Sequence, residues 1–162
     1  AGRDLTTLGE RQLRDIRGNE IGAVFARVAG SLHPSYKLGW QLAEAVRAHH
    51  AVSTSAARDR AVNALEAVGI AEAHRRVDMH PRELPSQIQL RALIAMALIN
   101  RPALLLVEDP LAELDWSARS SIVELLRDLR RRLGFALLLA TADSGVASDL
   151  GAEPLTLPTA TR

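Results

Sequence analysis

Ala103-Leu104-Leu105-Leu106-Val107-Glu108-Asp109-Pro110 is five apolar residues that run into two carboxylates and a proline. A run that short and that continuous predicts a strand covered on both faces rather than a helix. Ser117 to Leu133 then carries apolar residues at Ile122, Leu125, Leu126, Leu129 and Leu133, one stripe at helical spacing, and Gly134 sits where a C′ glycine belongs. Phe135 to Ala140 is a second apolar run. Strand, helix and strand over that length form a βαβ unit, whose strands are parallel and joined by a right-handed crossover. Ligands of open α/β sheets bind beyond the carboxyl ends of the strands. The residues to weigh are therefore Glu108-Asp109 after the first strand and Thr141-Ala142-Asp143 after the second. Two adjacent carboxylates there could hold a hydrated Mg²⁺ and orient a water. They could equally cap the turn with Pro110 and face solvent, and spacing alone favours that reading.

Upstream the texture is helical from Leu38 to about Asn100. Leu42, Ala45 and Val46 share a face, as do Val62, Leu65 and Val68, and Leu90, Leu93, Ile94, Ala97 and Leu98. Glu20 to Phe25 reads as a strand and Ala29 to Ser35 as a loop. Near the start, Thr7-Leu8-Gly9-Glu10 has the spacing of a capping box ahead of a short helix that Gly18 ends.

Composition removes whole classes. With 162 residues, 48% of them hydrophobic and 24% charged, the chain can bury a core without a metal or a disulfide. Ala92 to Ile99, the longest apolar run, is too short to span a bilayer. No cysteine is present, which excludes a disulfide scaffold and a thiol nucleophile. A net charge of +1 gives no global field for nucleic acid or anionic lipid. The first residue is Ala1 rather than Met, so a processed chain or an excerpt of a longer one is expected.

Leu104 to Pro110 followed by Leu114-Asp115 resembles the Walker B strand and D-loop of ABC transporter ATP-binding subunits, in the oligopeptide/dipeptide/nickel uptake branch. Gly2-Arg3-Asp4-Leu5 with Leu13-Arg14 and Ile16-Arg17-Gly18 resembles an earlier segment of that branch. Phe25 with Ser31-Leu32-His33-Pro34 and Gly39 resembles its Q-loop region, and Val68-Gly69-Ile70, Pro81, Glu83-Leu84 and Ile94-Ala95-Met96-Ala97-Leu98 continue in register. The resemblance runs from about Gly2 to Asp143. It implies an α/β, P-loop-NTPase-like ABC cassette core, partial because the Walker A portion is lacking, with a helical subdomain. The divisions expected are residues 1–37 (partial core and Q-loop region), 38–101 (helical subdomain with the signature motif), 102–150 (core with Walker B, D-loop and H-loop positions) and 151–162 (tail). One edge of the sheet is expected to be exposed.

Departures from the family pattern fall on the chemistry. A Walker A loop needs glycines and a lysine around the phosphates; Lys37, the only lysine, follows Tyr36. Ala26 stands at the Q-loop glutamine and Ala142 at the switch histidine. Leu84-Pro85-Ser86-Gln87-Ile88 stands where the family has Leu-Ser-Gly-Gly-Gln, so Pro85 removes a hydroxyl and an amide donor, and Gln87 puts a side chain where glycine allows close approach to phosphate. Walker B reads Glu-Asp for Asp-Glu. Asp109, at the catalytic position, retracts its carboxylate by about 1.5 Å, and a misplacement of about 1 Å can cost roughly a hundredfold in rate. Glu108, at the metal-facing position, is too long; Asp115 keeps its D-loop identity.

The resemblance thus implies ATP and Mg²⁺ as the family's cofactors, with binding positions at Ser86, Gln87, Asp115, Ala26 and Ala142, and it leaves open whether this chain holds either. It implies membrane permease subunits and a second ATP-binding subunit as partners, on the cytoplasmic face and peripheral to the cell membrane. Tyr36, Leu38 and Trp40 are the expected permease contacts, with core filling of the helical subdomain as the alternative. The expected function is a degenerate or partial subunit of a peptide- or nickel-type importer without its own ATPase activity. Its alternatives are an active subunit whose Walker A loop lies upstream, and a relic or regulatory binding module without a transport role. Trp116 suits either a dimer contact or partial burial. Arg127 and Arg130 to Arg132 read as a solvated helix end, and the histidines as surface groups.

Overall fold

The computed structural model describes residues 3–25, 30–108, 111, 114–141, 143–153 and 155. Three parallel strands, β1 (Ile21–Val24), β2 (Leu104–Glu108) and β3 (Ala136–Ala140), lie in the order β1-β2-β3. Val24, Val107 and Leu139 stand in one row of the register, and Glu108 pairs with Ala140. The connection from β2 to β3 is α6 (Trp116–Leu133), as the βαβ reading requires. The helices between β1 and β2 are α2 (Leu38–Arg47), α3 (Thr54–Ala67), the short α4 (Ala73–Arg76) and α5 (Ser86–Leu98); α1 (Glu10–Ile16) and α7 (Ser144–Asp149) lie near the two ends.

Pleating divides the sheet into two unequal faces. Gly22, Val24, Leu105 and Val107 are buried, and Leu137 and Leu139 pack against the same core. On the other face Ile21, Ala23, Leu104 and Leu106 are half-buried, while Ala136, Leu138 and Ala140 are exposed. The two covered faces expected of β2 are thus only partly realised, with Leu104 and Leu106 half-buried, and the outer face is barer still at the edge strand β3, whose Leu138 is 46% exposed. One-sided burial restores the alternation that continuous apolar sequence conceals.

A single apolar cluster joins the inner face of the sheet to the helices, with Leu42, Leu65, Leu90, Ile94, Leu105, Ile122, Leu126 and Leu129 at its centre. Burying each such side chain contributes about 1.5–3 kcal/mol. Helix α5 is the hub: Leu90, Ala92, Leu93, Ile94, Ala95, Ala97 and Leu98 are all buried, so from Ala92 onward it has no polar face. Two glycines bring backbone onto backbone. A Cβ on Gly22 would lie 2.2 Å from the Ala97 carbonyl oxygen, and one on Gly39 would lie 2.9 Å from the Val77 carbonyl oxygen.

Helix starts show how the chain satisfies orphan amides. Lys37 offers α2 no side-chain cap; the Leu38 and Gly39 amides instead donate to the carbonyls of Met79 (2.9 Å) and Val77 (2.7 Å). Ser53 Oγ accepts from the Ala56 amide at the start of α3. The capping box expected at Thr7 and Glu10 is not formed. Thr7 Oγ1 donates to the Asp4 carbonyl because residues 5–7 make a 3₁₀ turn, and Gln12 Oε1 accepts from the Gly9 amide one turn later. The arginines of α6 are not simply solvated either: Arg127 donates to the Asp149 carbonyl, Arg130 to that of Leu150 and Arg132 to that of Ala67. They tie the helix end to α7 and α3.

Arg58 holds Asp78 with two hydrogen bonds, 3.0 and 2.8 Å, and Lys37 Nζ lies 4.0 Å away. These bonds, Arg58's first, keep the Asp78 carboxyl below its ordinary value. Because the folded state favours the charged form, the pair stabilises the fold above the ordinary carboxylate range near pH 4 and loses that contribution as pH falls through the folded value. Both partners are about half exposed, so the effect is at most about 1 kcal/mol. Asp78→Asn should therefore lower the thermal midpoint slightly at pH 7 and make progressively less difference as pH falls through the lowered folded-state value, as a pH series of melts would show.

Candidate functional site

The carboxyl ends of β2 and β3 lie side by side, and two loops leave from them. Glu108, the last residue of β2, is exposed opposite Ala140. Beyond it Leu111 is buried at 1% exposure, and the Leu114 amide, just ahead of Asp115, donates to its carbonyl at 3.1 Å. Asp115 is the N-cap of α6: its carboxylate accepts from the Ala118 amide at 2.9 Å. The carboxylate at the D-loop position thus has a structural duty of its own.

After β3, Asp143 N-caps α7, accepting from the amides of Gly145 (2.8 Å) and Val146 (3.3 Å), while its own amide donates to Thr141 Oγ1. The same carboxylate forms an ion pair with Arg119, one turn into α6. One half-buried arginine therefore ties the two loops together. Sequence reasoning missed Arg119; its place four residues after a helix-capping aspartate was the available signal, because i and i+4 share a face.

Asp109, Ala26 and Ala142 lie outside the described residues. Ser86 and Gln87 open α5 and are both exposed. Pro85 occupies the N-cap with no side-chain cap; its carbonyl accepts from the amides of Ile88 (2.9 Å) and Gln89 (3.0 Å), which leaves the Ser86 and Gln87 amides at the open end of the helix. The exposed Gln87 side chain stands on that turn. Lys37 is placed beside Asp78, between α2 and α4, and not at the strand ends. Among the described residues no group of three or more His, Asp or Glu side chains could hold a metal ion.

A second surface lies at the start of α2. Tyr36 and Trp40 stack with ring centroids 4.2 Å apart at 25°, and His33 tilts against Tyr36 at 4.6 Å. Gln41 braces the loop: Oε1 accepts from the His33 amide, and Nε2 donates to the carbonyls of His33 and Tyr36. Tyr36 is 45% exposed, Trp40 50% and Phe25 60%. Leu38, expected beside them, is wholly buried in the core, because its place in the first turn of α2 faces inward. Of the three, only the aromatic pair is exposed. Trp116 is 82% exposed, so it does not fill the core.

No family model matches the chain. It is 40% identical over 148 residues to a protein of Sinorhizobium fredii named "Probable peptide ABC transporter ATP-binding protein y4tR", across 91% of this chain and 44% of that one. It is 37% identical over 149 residues to the oligopeptide transport ATP-binding protein OppD of Bacillus subtilis, across 92% of this chain and 42% of that one. The chain thus spans less than half the length of these curated relatives. Among solved structures it resembles the ATP-binding cassette MJ0796, a dimer in a post-hydrolysis state bound to ADP and phosphate, with a TM-score of 0.75 and 28% identity over 88% of this chain and 61% of that one. No helix among the described residues is long and apolar enough to cross a membrane.

Proposed function

Because this chain belongs, over the part of the cassette it spans, to the ATP-binding proteins of peptide ABC transporters, we propose that it is a scaffold subunit of such an importer that has lost its own hydrolytic site. The observation that carries this reading is the first turn of α5, where Pro85 takes the N-cap and the exposed Gln87 side chain occupies the family's glycine position. Phosphoryl transfer is driven by positioning and by electrostatic stabilisation of a spreading negative charge. A glutamine at the approach point blocks the first, and a proline amide removes one donor for the second.

ATP and Mg²⁺ are the family's cofactors, and the described residues fit them poorly. The single lysine is engaged near Asp78, the described carboxylates form no metal-binding group, and Asp115 and Asp143 are both spent on helix caps. Ala26 and Ala142 add no polar atom of their own at the Q-loop and switch positions. In this reading a second, better-equipped ATP-binding subunit supplies the working chemistry. This chain contributes half of the dimer and, through Tyr36 and Trp40, contact with the permease at the inner face of the membrane.

The test is Mg²⁺-dependent ATP hydrolysis by the purified chain, alone and fused to a relative's Walker A segment. No turnover above the blank is expected in either form. Robust turnover in the fused form would instead favour an active subunit whose phosphate loop lies upstream. Restoring Ser-Gly-Gly at positions 85–87 in the fused form should then raise nucleotide-dependent dimerisation, the step that the altered turn is proposed to block.

A further inference from the structure

Strand β3 is an edge of the sheet, and among the described residues no strand lies beyond it. The Ala136 amide donates to the Ala103 carbonyl at 2.8 Å, so Ala136 turns its backbone groups toward β2. Backbone groups alternate sides along a strand. Those of Ala136, Leu138 and Ala140 therefore serve the ladder with β2, and those of Leu137 and Leu139 point outward from the edge. On the outer face of the sheet Ala136, Leu138 and Ala140 are exposed, and Leu138 stands beside the half-buried Leu106.

Sheet edges are ordinarily guarded by a charge, a proline or a bulge. This one is not. No charged residue and no proline occurs from Leu133 to Ala142, and β3 pairs with β2 in unbroken register.

The strand's own sequence says what fits against it. Ala136-Leu137-Leu138-Leu139-Ala140 reads the same in both directions. Two copies that meet antiparallel about a two-fold axis at Leu138 set Leu137 of each opposite Leu139 of the other, and alanine opposite alanine. The same register uses the outward backbone groups, because Leu137 and Leu139 then exchange both N–H···O bonds across the axis. The two Leu138 residues form the closer, non-hydrogen-bonded pair, with Cα atoms about 4.5 Å apart. The apolar row of Leu106 and Leu138 thus runs on into the same row of the second copy. A two-fold axis brings each residue near its own equal, so a stretch without charge meets itself without repulsion.

We propose that the β3 edge is an interface between two copies of this chain, which joins their three-stranded sheets into one. The strand is 5 residues long, and so short a contact falls below the roughly 1,200–2,000 Å² of stable interfaces. The dimer is accordingly weak, with a dissociation constant between about 10 µM and 1 mM. It uses neither the strand-end loops nor the aromatic surface, so it stands apart from the function proposed above.

Sedimentation equilibrium of the chain should show a dimer in that range that grows no further. Leu138→Lys and Leu138→Glu, at a position already 46% exposed, should each weaken it at least about tenfold while leaving the thermal midpoint near the parent's. An equimolar mixture of the two variants should associate again, because Lys then faces Glu across the axis; loss of stability alone gives no such rescue. Hydrogen exchange of the unaltered chain needs no variant to fold. The Leu137 and Leu139 amides should gain protection as concentration rises, and the Leu138 amide, on the β2 side, should not. A monomer at about 1 mM, growth beyond the dimer, or protection gained elsewhere than at Leu137 and Leu139 would overturn the proposal. So would a dimer that persists in both charge variants, or folded variants that fail to associate when mixed.

Discussion

Valine at position 22 is expected to cost the fold about 3 kcal/mol or more, enough to remove a large share of the 5–15 kcal/mol that holds an ordinary domain together. Gly22 lies in β1 opposite Leu105, and the β1 backbone there passes directly under α5. Its missing Cβ would meet the Ala97 carbonyl oxygen at 2.2 Å, the Ala97 carbonyl carbon at 3.1 Å and Leu105 Cδ1 at 3.3 Å. Two of those atoms are helix backbone, which cannot rotate away as a side-chain end would. The helix must lift from the sheet, and the residues that lift with it, Leu93, Ile94 and Leu98, are core. Gly22→Ala already creates the clash, so it should lose about 2 kcal/mol, with valine losing more. Gly9→Ala is the control: φ is −74° and the nearest atom would be 3.9 Å away, so its midpoint should barely move. Urea titration of the three variants decides it. A Gly22→Val chain with the parent's midpoint would show that α5 and β1 do not meet this closely.

That contact explains why part of the architecture was readable and part was not. The crossover from β2 to β3 was legible because its signals are local: an apolar run, a helical stripe, a glycine at φ 75° closing α6, and a second apolar run. The helical stripes of α2 and α5 were legible for the same reason, and the residues named on α5 are all buried. What periodicity cannot express is which neighbour covers a face. Leu138 looks like Leu105 in sequence, yet one is 46% exposed and the other fully buried, because burial depends on what packs across the sheet. Leu38 next to Tyr36 and Trp40 looked like surface for the converse reason.

The candidate site divides along the same line. Residue identities at Pro85, Gln87 and Glu108 could be read directly, since each departs from a motif of fixed spacing. The caps that Asp115 and Asp143 make are local, but the Arg119 link between their loops requires residues 24 apart in the chain to meet. Gln41 is a similar case. Its amide reaches back eight residues to His33, and no local pattern announces it.

The second large effect belongs to the aromatic pair. Under the proposed function, replacing Tyr36 and Trp40 together with alanine is expected to weaken binding to the proposed permease partner about thirtyfold or more, the loss of about 2 kcal/mol typical of an interface anchor. The two rings are about half exposed, yet their stacking and the Gln41 brace hold them in one arrangement before any partner arrives. Preorganised aromatic surface binds without a further ordering cost. Its removal should leave the fold nearly intact, because the pair contributes only about 1 kcal/mol through stacking and partial burial. Leu38→Ala supplies the opposite signature. That side chain is 0% exposed, so its loss should destabilise the chain by about 2–5 kcal/mol and reduce docking only in proportion to the unfolded fraction. Surface plasmon resonance against a detergent-solubilised permease pair, with a thermal melt of each variant, separates the two effects. Unchanged affinity in the Tyr36/Trp40 variant would remove the proposed permease contact from this surface and leave the stacked rings as a local brace for the start of α2.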